Sequence, residues 1–302
     1  MIPYFRYGIL SNTPPNAVAG PCATPNDKGS QVRRDWRIPD ELWEKIEPLL
    51  PARKAHPLGC HRPRVPDRAA MDAIFFVLRT GCQWNSLNAT GICTSSSAHR
   101  RFQEWTEAGV FLELWRQGLL EYDTAVGIDW DWVSMDGAMT KAPLGGGKVG
   151  RNPTDRGKGG AKRSLLTEGS GFPIGLAVEG ANKNDFKMAR DTIESIPVAR
   201  PQPTDGKPQG MCLDKGYDYN EVRALLKEFG FTAHVRARGE EIKAIKAEAG
   251  YKARRWVVER THSWMNRFRG ILIRWSKKPQ NYLAMLHIAC AHITFRQGGL
   301  YA

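Results

Sequence analysis

The chain has 302 residues and carries 44 Lys and Arg against 31 Asp and Glu, which gives a formal net charge of +13. Its 41% of hydrophobic and 25% of charged residues are typical of a globular protein and exclude a wholly disordered chain, a collagen-like repeat and a coiled-coil rod. No apolar run reaches the roughly 18 residues of a membrane helix, so no membrane partner is expected, and the length predicts about two domains.

The N-terminal stretch lacks the signals of a targeting segment and of a folded domain. Arg6 interrupts the apolar start of the chain, which argues against a secretory signal and favours a cytoplasmic protein. Residues 1–34 are rich in Pro, Asn and Gly and have no periodic apolar face. They are therefore predicted to form a disordered tail.

Four short helices are predicted within residues 36–122. They fall on the runs IPDELWEKIEPLL, DRAAMDAIFFVLRTG, TSSSAHRRFQEWTEAG and VFLELWRQGLLEYD, which are separated by turns and a Pro-rich connector. Short helices joined by small polar turns are typical of a helix-turn-helix-like module. Residues 36–120 hold eleven bases and nine acids, so their charge is nearly balanced, and the helix-turn-helix-like pattern is what predicts a helical DNA-binding domain here.

The third predicted helix carries His99, Arg100 and Arg101 near its start. A recognition helix presents its side chains to a DNA groove from this position. A solvated basic patch on a packing helix explains the same residues equally well, and the sequence leaves both interpretations open.

Strand-like and helical runs alternate after Asp129. The strand-like runs are WVSMDGAM, AKRSLLTEG, FPIGLAVEG, GMCLDKGYD and FTAHVRA, and the helical runs between them are DFKMARDTIESI and NEVRALLKEFG. This alternation predicts an α/β domain with a mixed sheet over residues 130–296. The segments ARRWVVERTHSWMNRFRGILIRW and QNYLAMLHIACAHITFR are predicted to be helical throughout.

Two aspartates stand at the ends of apolar strand-like runs. Asp136 follows Val-Ser-Met, Asp214 follows Met-Cys-Leu, and a glycine lies close to each. Ligand-binding groups collect at strand ends of α/β sheets, and a carboxylate there is costly unless it is paired or bound to a cation. The two residues are therefore predicted to be a metal pair, with the hard oxygen ligands that suit Mg²⁺ or Mn²⁺.

Glu259 is the candidate for a third carboxylate. Several arginines surround it, among them Arg255, Arg260 and Arg267, which could hold a DNA backbone. Three carboxylates can bind two divalent ions that assist an in-line displacement at phosphorus. A salt bridge from Glu259 to Arg255 or Arg260 is the alternative.

Residues 141–163 form a glycine-rich basic segment with seven Lys and Arg and one acid. The segment does not match the phosphate-binding loop pattern, because Lys148 is followed by Val149. It is predicted to be a flexible loop that closes on DNA, with Lys141 and Lys158 as contacts.

These motifs together resemble the DDE transposases of bacterial insertion sequences, over about residues 36–296. MDGAMTKAP, MCLDKGYD and RRWVVERTHSWMNRFRGILIRW are similar to the family's three catalytic segments. The resemblance implies a ribonuclease-H-like catalytic domain in which Asp136, Asp214 and Glu259 are the catalytic residues and hold two Mg²⁺ or Mn²⁺ ions. Arg255, four residues before Glu259, fits the family's pattern around the glutamate, whereas Tyr251 and Arg267 are each displaced from it by one position.

The resemblance also implies partners and a reaction. The helical region would bind the terminal inverted repeats of the element, and the chain would act as a homo-oligomer on double-stranded DNA in a bacterial cytoplasm, associated with the nucleoid. Hydrolysis of the phosphodiester at an element end would be followed by transfer of the freed 3′-hydroxyl to target DNA. Two alternatives stay open: a DNA-binding regulator with an inactive domain, and a metal-dependent nuclease of the same fold.

Overall fold

The structure, a computed structural model, describes residues 36–52, 64–235 and 256–300. The predicted tail at 1–34 lies outside the described residues, as do Arg255 and Tyr251. Every statement below concerns the described ranges.

Four helices form the N-terminal part, as the sequence predicts. Pro39 and two acidic residues, Asp40 and Glu41, begin the first helix, where acidic side chains stabilise the helix dipole. The second ends at Gly81, whose φ of 70° favours glycine. The helices are α1 (Asp40–Ile46), α2 (Asp67–Thr80), α3 (Ser95–Glu107) and α4 (Val110–Ala125).

A mixed sheet forms the second part of the chain. Its strands are β1 (Trp132–Lys141), β2 (Gly150–Arg151), β3 (Gly159–Thr167), β4 (Pro173–Gly180), β5 (Gln209–Leu213) and β6 (Phe231–Val235). β3 pairs antiparallel with β1, β2 and β4, while β5 pairs parallel with β1 and β6. The mixed α/β sheet predicted from the sequence is confirmed.

Further helices flank this sheet. They are α5 (Ala189–Glu194), α6 (Asn220–Glu228), α7 (Trp256–Met265) and α8 (Pro279–Gln297). α7 packs on β1 and β3, and α8 packs along α4. Gly118 allows the α4–α8 contact to be close, because a Cβ there would lie 2.8 Å from the Phe295 ring.

The helical part and the sheet share one hydrophobic core. The Trp115 Nε1–H of α4 donates a hydrogen bond to the carbonyl of Pro173 at 3.1 Å, and the described residues from Trp36 onward form one compact unit. The predicted limit at residue 122 falls in the last turn of α4, and the predicted start at residue 130 falls in the connection before β1. The division into domains at 36–122 and 130–296 stays a prediction.

The prediction of continuous helix through the segment before α8 is wrong. α7 ends at Met265, a single 3-10 turn follows over Arg269–Ile271, and Ile273 forms a parallel bridge with Lys141. Pro279 restricts the residue before it to extended conformations, and Lys278 is extended with a ψ of 122°. In the described ranges, no helix is long and apolar enough to cross a membrane.

Candidate active site

Asp136 and Asp214 occupy matching positions on two neighbouring parallel strands. Ser134 of β1 pairs with Cys212 of β5, and each aspartate comes two residues later. Side chains two residues apart in an extended chain point to the same face. Both carboxylates therefore lie on one face of the sheet, where β5 ends.

A tight turn fixes the backbone that follows Asp214. The Gly216 N–H donates a hydrogen bond to Asp214 Oδ1 at 2.8 Å, and the Tyr217 N–H donates to the Asp214 carbonyl at 3.1 Å. The aspartate thereby caps the 3-10 turn Lys215–Tyr217, as short polar side chains commonly do. The sequence DKGY thus stops β5 at the position that presents this carboxylate.

Helix α7 covers the face of β1 that carries Asp136. His262 is buried, and its Nε2 lies 4.0 Å from Asp136 Oδ2. Burial, followed by the positive charge of Arg163, lowers the pKa of His262 to about 3. The imidazole is therefore neutral at neutral pH and places no positive charge beside the carboxylate.

Glu259 lies one turn before His262 on α7 and is exposed. Residues three apart on a helix are neighbours on its surface, so this carboxylate projects beside the contact between α7 and β1. Among the described residues, no three His, Cys, Asp or Glu side chains lie close enough together to hold a metal ion. The strand register places the two aspartates on one face of the sheet, and Glu259 lies on the adjacent helix α7.

The donors at the strand ends suit a hard divalent cation. Asp136 and Asp214 supply carboxylate oxygens, which are the ligands that Mg²⁺ and Mn²⁺ prefer. The Asp136 side chain is 33% exposed, so an ion can reach it from solvent. Because His262 is neutral, the nearest α7 side chain does not compete with a cation for Asp136.

Two arginines that the sequence predicts as DNA contacts are engaged within the chain. Arg260 lies between two indoles, with Cζ 4.5 Å from the Trp256 ring centroid and 4.7 Å from that of Trp264, and it donates a hydrogen bond to the Ser170 carbonyl. Arg101 pairs with Glu104 and is only 14% exposed. Both guanidinium groups hold parts of the fold together.

The other predicted DNA contacts that the structure describes are exposed. Lys141 has an ion pair with Asp155 at 3.6 Å but remains 64% exposed. His99 stands edge-on to the Trp84 ring with centroids 5.0 Å apart, and burial and the charge of Lys278 lower its pKa. The exposed set is His99, Arg100, Lys141, Lys158 and Arg267.

Three side chains beside the aspartates are not predicted from the sequence as site residues. Asp185 Oδ1 would lie 2.0 Å from a Cβ on Gly137, the residue after Asp136. Lys162 forms an ion pair with Asp185 at 3.0 Å, and Tyr217 is buried beyond the Asp214 turn. The sequence DKGYD shows Tyr217 close to Asp214, but its burial follows from tertiary packing and carries no local signal.

Comparison with known families assigns both parts of the chain to transposases. A family model described as "Putative transposase of IS4/5 family" matches residues 38–115. A second model, described as "Transposase DDE domain", matches residues 125–294. The second match spans more than half of the chain and contains Asp136, Asp214 and Glu259.

Two curated relatives come from Burkholderia cepacia. The "Putative transposase for insertion sequence element IS402" is 34% identical over 149 residues, which are 48% of this chain and 68% of the relative. The "Insertion element IS402 uncharacterized 16.2 kDa protein" is 38% identical over 118 residues, which are 38% of this chain and 80% of the relative.

Among solved structures, a pre-cleavage Mos1 transpososome matches 83% of this chain and 83% of its own chain, with 10% identity and a TM-score of 0.27. A Mos1 mariner paired-end complex with Mn matches 91% and 93%, with 11% identity and a TM-score of 0.27. TM-scores this low give no basis for assigning a fold or a function. The assignment follows from the family model over residues 125–294: the chain belongs to the DDE transposases, and it has a helical region before a mixed α/β sheet.

Proposed function

We propose that Asp136, Asp214 and Glu259 are the catalytic carboxylates of this transposase and that they act on the ends of its own insertion sequence. The matching positions of the two aspartates on β1 and β5 carry this proposal. Glu259 joins them from α7, the helix whose His262 approaches Asp136. The same three side chains would serve hydrolysis at the element end and transfer of the 3′-hydroxyl to target DNA.

Asp136, Asp214 and Glu259 would hold two Mg²⁺ or Mn²⁺ ions. When bound, such ions supply Lewis-acid stabilisation for a displacement at phosphorus. The protein's own contribution is positional: β1 and β5 fix the two aspartates, and the buried, neutral His262 shields one side of Asp136 from water. Glu259 is exposed on α7, so solvent and ions can reach its carboxylate.

Double-stranded DNA is the proposed partner, through the element's inverted repeats and the target. Arg100 on α3 and Lys158 before β3 are exposed, and exposed cations of this kind neutralise backbone phosphates. His99, Lys141 and Arg267 extend this set, and Arg255 joins it on sequence grounds. Arg101 and Arg260 would contribute by holding α3 and α7 in place. A homo-oligomer on paired ends is part of the same proposal.

Cleavage of a labelled duplex that carries the element's own end and flanking DNA tests the proposal. We expect Asp214→Asn to reduce metal-dependent cleavage by a factor on the order of 10²–10³ or more and to leave DNA binding nearly unchanged. Asp218→Asn is the matched control, because Asp218 follows the same turn, pairs with Arg223 at 2.7 Å and is 44% exposed. We expect that variant to cleave like the wild type.

Other outcomes would support the competing functions. DNA binding by the wild type without cleavage in Mg²⁺ or Mn²⁺ would favour a regulator with an inactive domain. Cleavage without any joined product would favour a nuclease. Full cleavage by Asp214→Asn would remove Asp214 from the mechanism.

A further inference from the structure

A buried polar cluster lies behind β1, on the face of the sheet opposite Asp136. Because side chains alternate along a strand, Gly137 faces away from the side on which Asp136 lies. Asp185 occupies the space that a side chain at Gly137 would fill, with Oδ1 2.0 Å and Cγ 3.1 Å from the Cβ position. Gly137 is therefore the residue that allows Asp185 to reach the backbone of the catalytic strand.

Lys162 of β3 holds Asp185 in this place. Its ammonium group lies 3.0 Å from Asp185 Oδ2, donates to the Lys183 carbonyl at 2.8 Å, and its side chain is only 7% exposed. A charged group this deeply buried is stable only when it is paired and hydrogen-bonded. The ion pair therefore fixes one carboxylate oxygen of Asp185 and leaves the other directed at Gly137.

Tyr217 reaches the same cluster from the turn that follows Asp214. Its side chain is 1% exposed. Burial raises its pKa, and the charges of Asp185, Asp136 and Asp214 add to the shift. The hydroxyl therefore keeps its proton. Phe186 and Tyr219, whose ring centroids are 4.3 Å apart, hold the Asp185 turn against the Tyr217 turn.

The cluster contains a hydrogen-bond donor and a carboxylate acceptor that are both unsatisfied. Tyr217 Oη and Asp185 Oδ1 are both buried, and neither meets hydrogen-bond geometry with a described residue. Ser164, which pairs with Gly137 across the strands, is another polar side chain near the Tyr217 hydroxyl. An unsatisfied buried polar atom is costly. The two turns that carry these side chains are in contact, so a hydrogen bond between the hydroxyl and the carboxylate, direct or through one water, would satisfy both groups.

We propose that Lys162, Asp185 and Tyr217 form a positioning cluster that holds Asp214 in register with Asp136; the inference rests on the proposed catalytic role of the two aspartates. The link to Asp214 is short and rigid, because the Tyr217 N–H and the Gly216 N–H both bond to Asp214. The link to Asp136 runs through Gly137. Tyr217 and Asp185 are thus positioning residues for the ligands of the metal.

Tyr217→Phe in the full-length protein tests this role, because it removes the hydroxyl and keeps the ring. We expect Mn²⁺ affinity and cleavage rate each to fall by about 10–100-fold, the usual effect of removing a group that orients a metal ligand. The melting temperature without metal and the affinity for the element-end duplex should stay close to wild type. Tyr219→Phe is the matched control, because it keeps the ring that packs against Phe186 and removes only the hydroxyl of a 48% exposed tyrosine; it should match the wild type throughout.

A double variant adds a second criterion. Asp185→Asn should reduce Mn²⁺ affinity to a similar extent, and Tyr217→Phe combined with Asp185→Asn should lose little more than the worse single variant, since residues that act through one contact are not additive. Unchanged Mn²⁺ affinity in Tyr217→Phe, losses that multiply in the double variant, or a loss in Tyr217→Phe that follows a lowered melting temperature would each overturn the inference.

Asp136→Asn measured in parallel separates this inference from the proposed function. If Asp136→Asn loses cleavage while Tyr217→Phe keeps wild-type Mn²⁺ affinity, only the positioning role is wrong. If Asp136→Asn itself cleaves normally, the catalytic assignment is wrong, and the cluster loses the function assigned to it.

Discussion

Burial determines the charge of individual histidines in this chain. Besides His262, two histidines of α8 are buried, and burial lowers the pKa of His287 to about 4 and that of His292 to about 3. All three are neutral at neutral pH. The positive charge of the protein at neutral pH therefore comes from its lysines and arginines. At acid pH the unfolded chain gains protons on these three histidines before the folded chain does, which lowers the free energy of unfolding.

His287 makes this effect measurable at one residue. The unfolded chain protonates this histidine near pH 6.5 and the folded chain only near pH 4, so its contribution to stability is lost as the pH falls from 6.5 towards 4. The loss between pH 7 and pH 5 is about 2 kcal/mol. Phe at this position keeps an aromatic ring against Trp115, whose centroid is 5.5 Å away.

Urea unfolding at pH 7 and pH 5 checks this expectation. The free energy of unfolding of His287→Phe should fall by about 2 kcal/mol less than that of the wild type over this interval. Equal falls in the two proteins would show that His287 is not held neutral in the folded chain.

At the scale of elements, the segment between α7 and α8 is organised by one buried arginine. Arg274 is 1% exposed. It donates hydrogen bonds to the carbonyls of Lys148 at 2.9 Å and Gly147 at 2.6 Å, and to those of Ser276 and Lys277, both at 3.1 Å. The glycine-rich basic loop is therefore attached to the segment before α8, although the sequence predicts it to be flexible.

Substitution of Arg274 should release this loop. We expect Arg274→Met to lower the free energy of unfolding by about 3 kcal/mol, because it leaves several buried carbonyls without their charged donor. Limited proteolysis should then cut within residues 144–151 faster than in the wild type. A stable variant with an unchanged cleavage pattern would show that the loop is held by other contacts.

The sequence predicts most elements of this fold because their signals are local. The strands β1, β3, β4, β5 and β6 coincide with apolar runs bounded by glycine or turn residues, and Gly81 ends α2 as predicted. The sequence predicts helix up to Trp275, at the end of the run ILIRW, whereas α7 ends at Met265. The contacts of Arg274 and the bridge from Ile273 to Lys141 link residues distant in sequence, which a local pattern does not contain.

The difference between local signals and contacts of residues distant in sequence also explains which parts of the candidate site can be predicted. Asp136 and Asp214 can be found from the sequence, because each ends an apolar strand next to a glycine. The approach of Asp185 to Gly137 depends on where the turn after β4 folds back across the sheet, and the neighbourhood of Tyr217 depends on the pairing of β1 with β3. Neither is encoded in the spacing of residues along the chain.

At the scale of the whole molecule, the net charge of +13 favours a polyanionic partner. When binding releases counterions, the logarithm of the binding constant falls linearly with the logarithm of the salt concentration. Each phosphate contact contributes about 0.9 to the magnitude of this slope. Lys158 is exposed, and the structure records no ion pair for it among the described residues. We therefore expect Lys158→Gln to reduce the slope by about 1, in titrations of an element-end duplex at several salt concentrations.

Lys45 gives the matched control for this titration. It lies on α1 and pairs with Glu121 at 2.7 Å, remote in sequence from the proposed DNA contacts. Lys45→Gln should leave the slope unchanged. Equal slopes for Lys158→Gln and the wild type would mean that Lys158 does not contact phosphate.

The positions of bound Mn²⁺ ions would show whether Asp136, Asp214 and Glu259 hold metal. Anomalous diffraction from crystals of the full-length protein, grown with an element-end duplex and Mn²⁺, would locate each ion without reference to activity. We expect anomalous peaks in contact with the carboxylates of Asp136 and Asp214, and we expect the Glu259 carboxylate to contact the same ions. Peaks only at other positions, or ions held by the two aspartates while Glu259 stays on the outer surface of α7, would contradict this expectation.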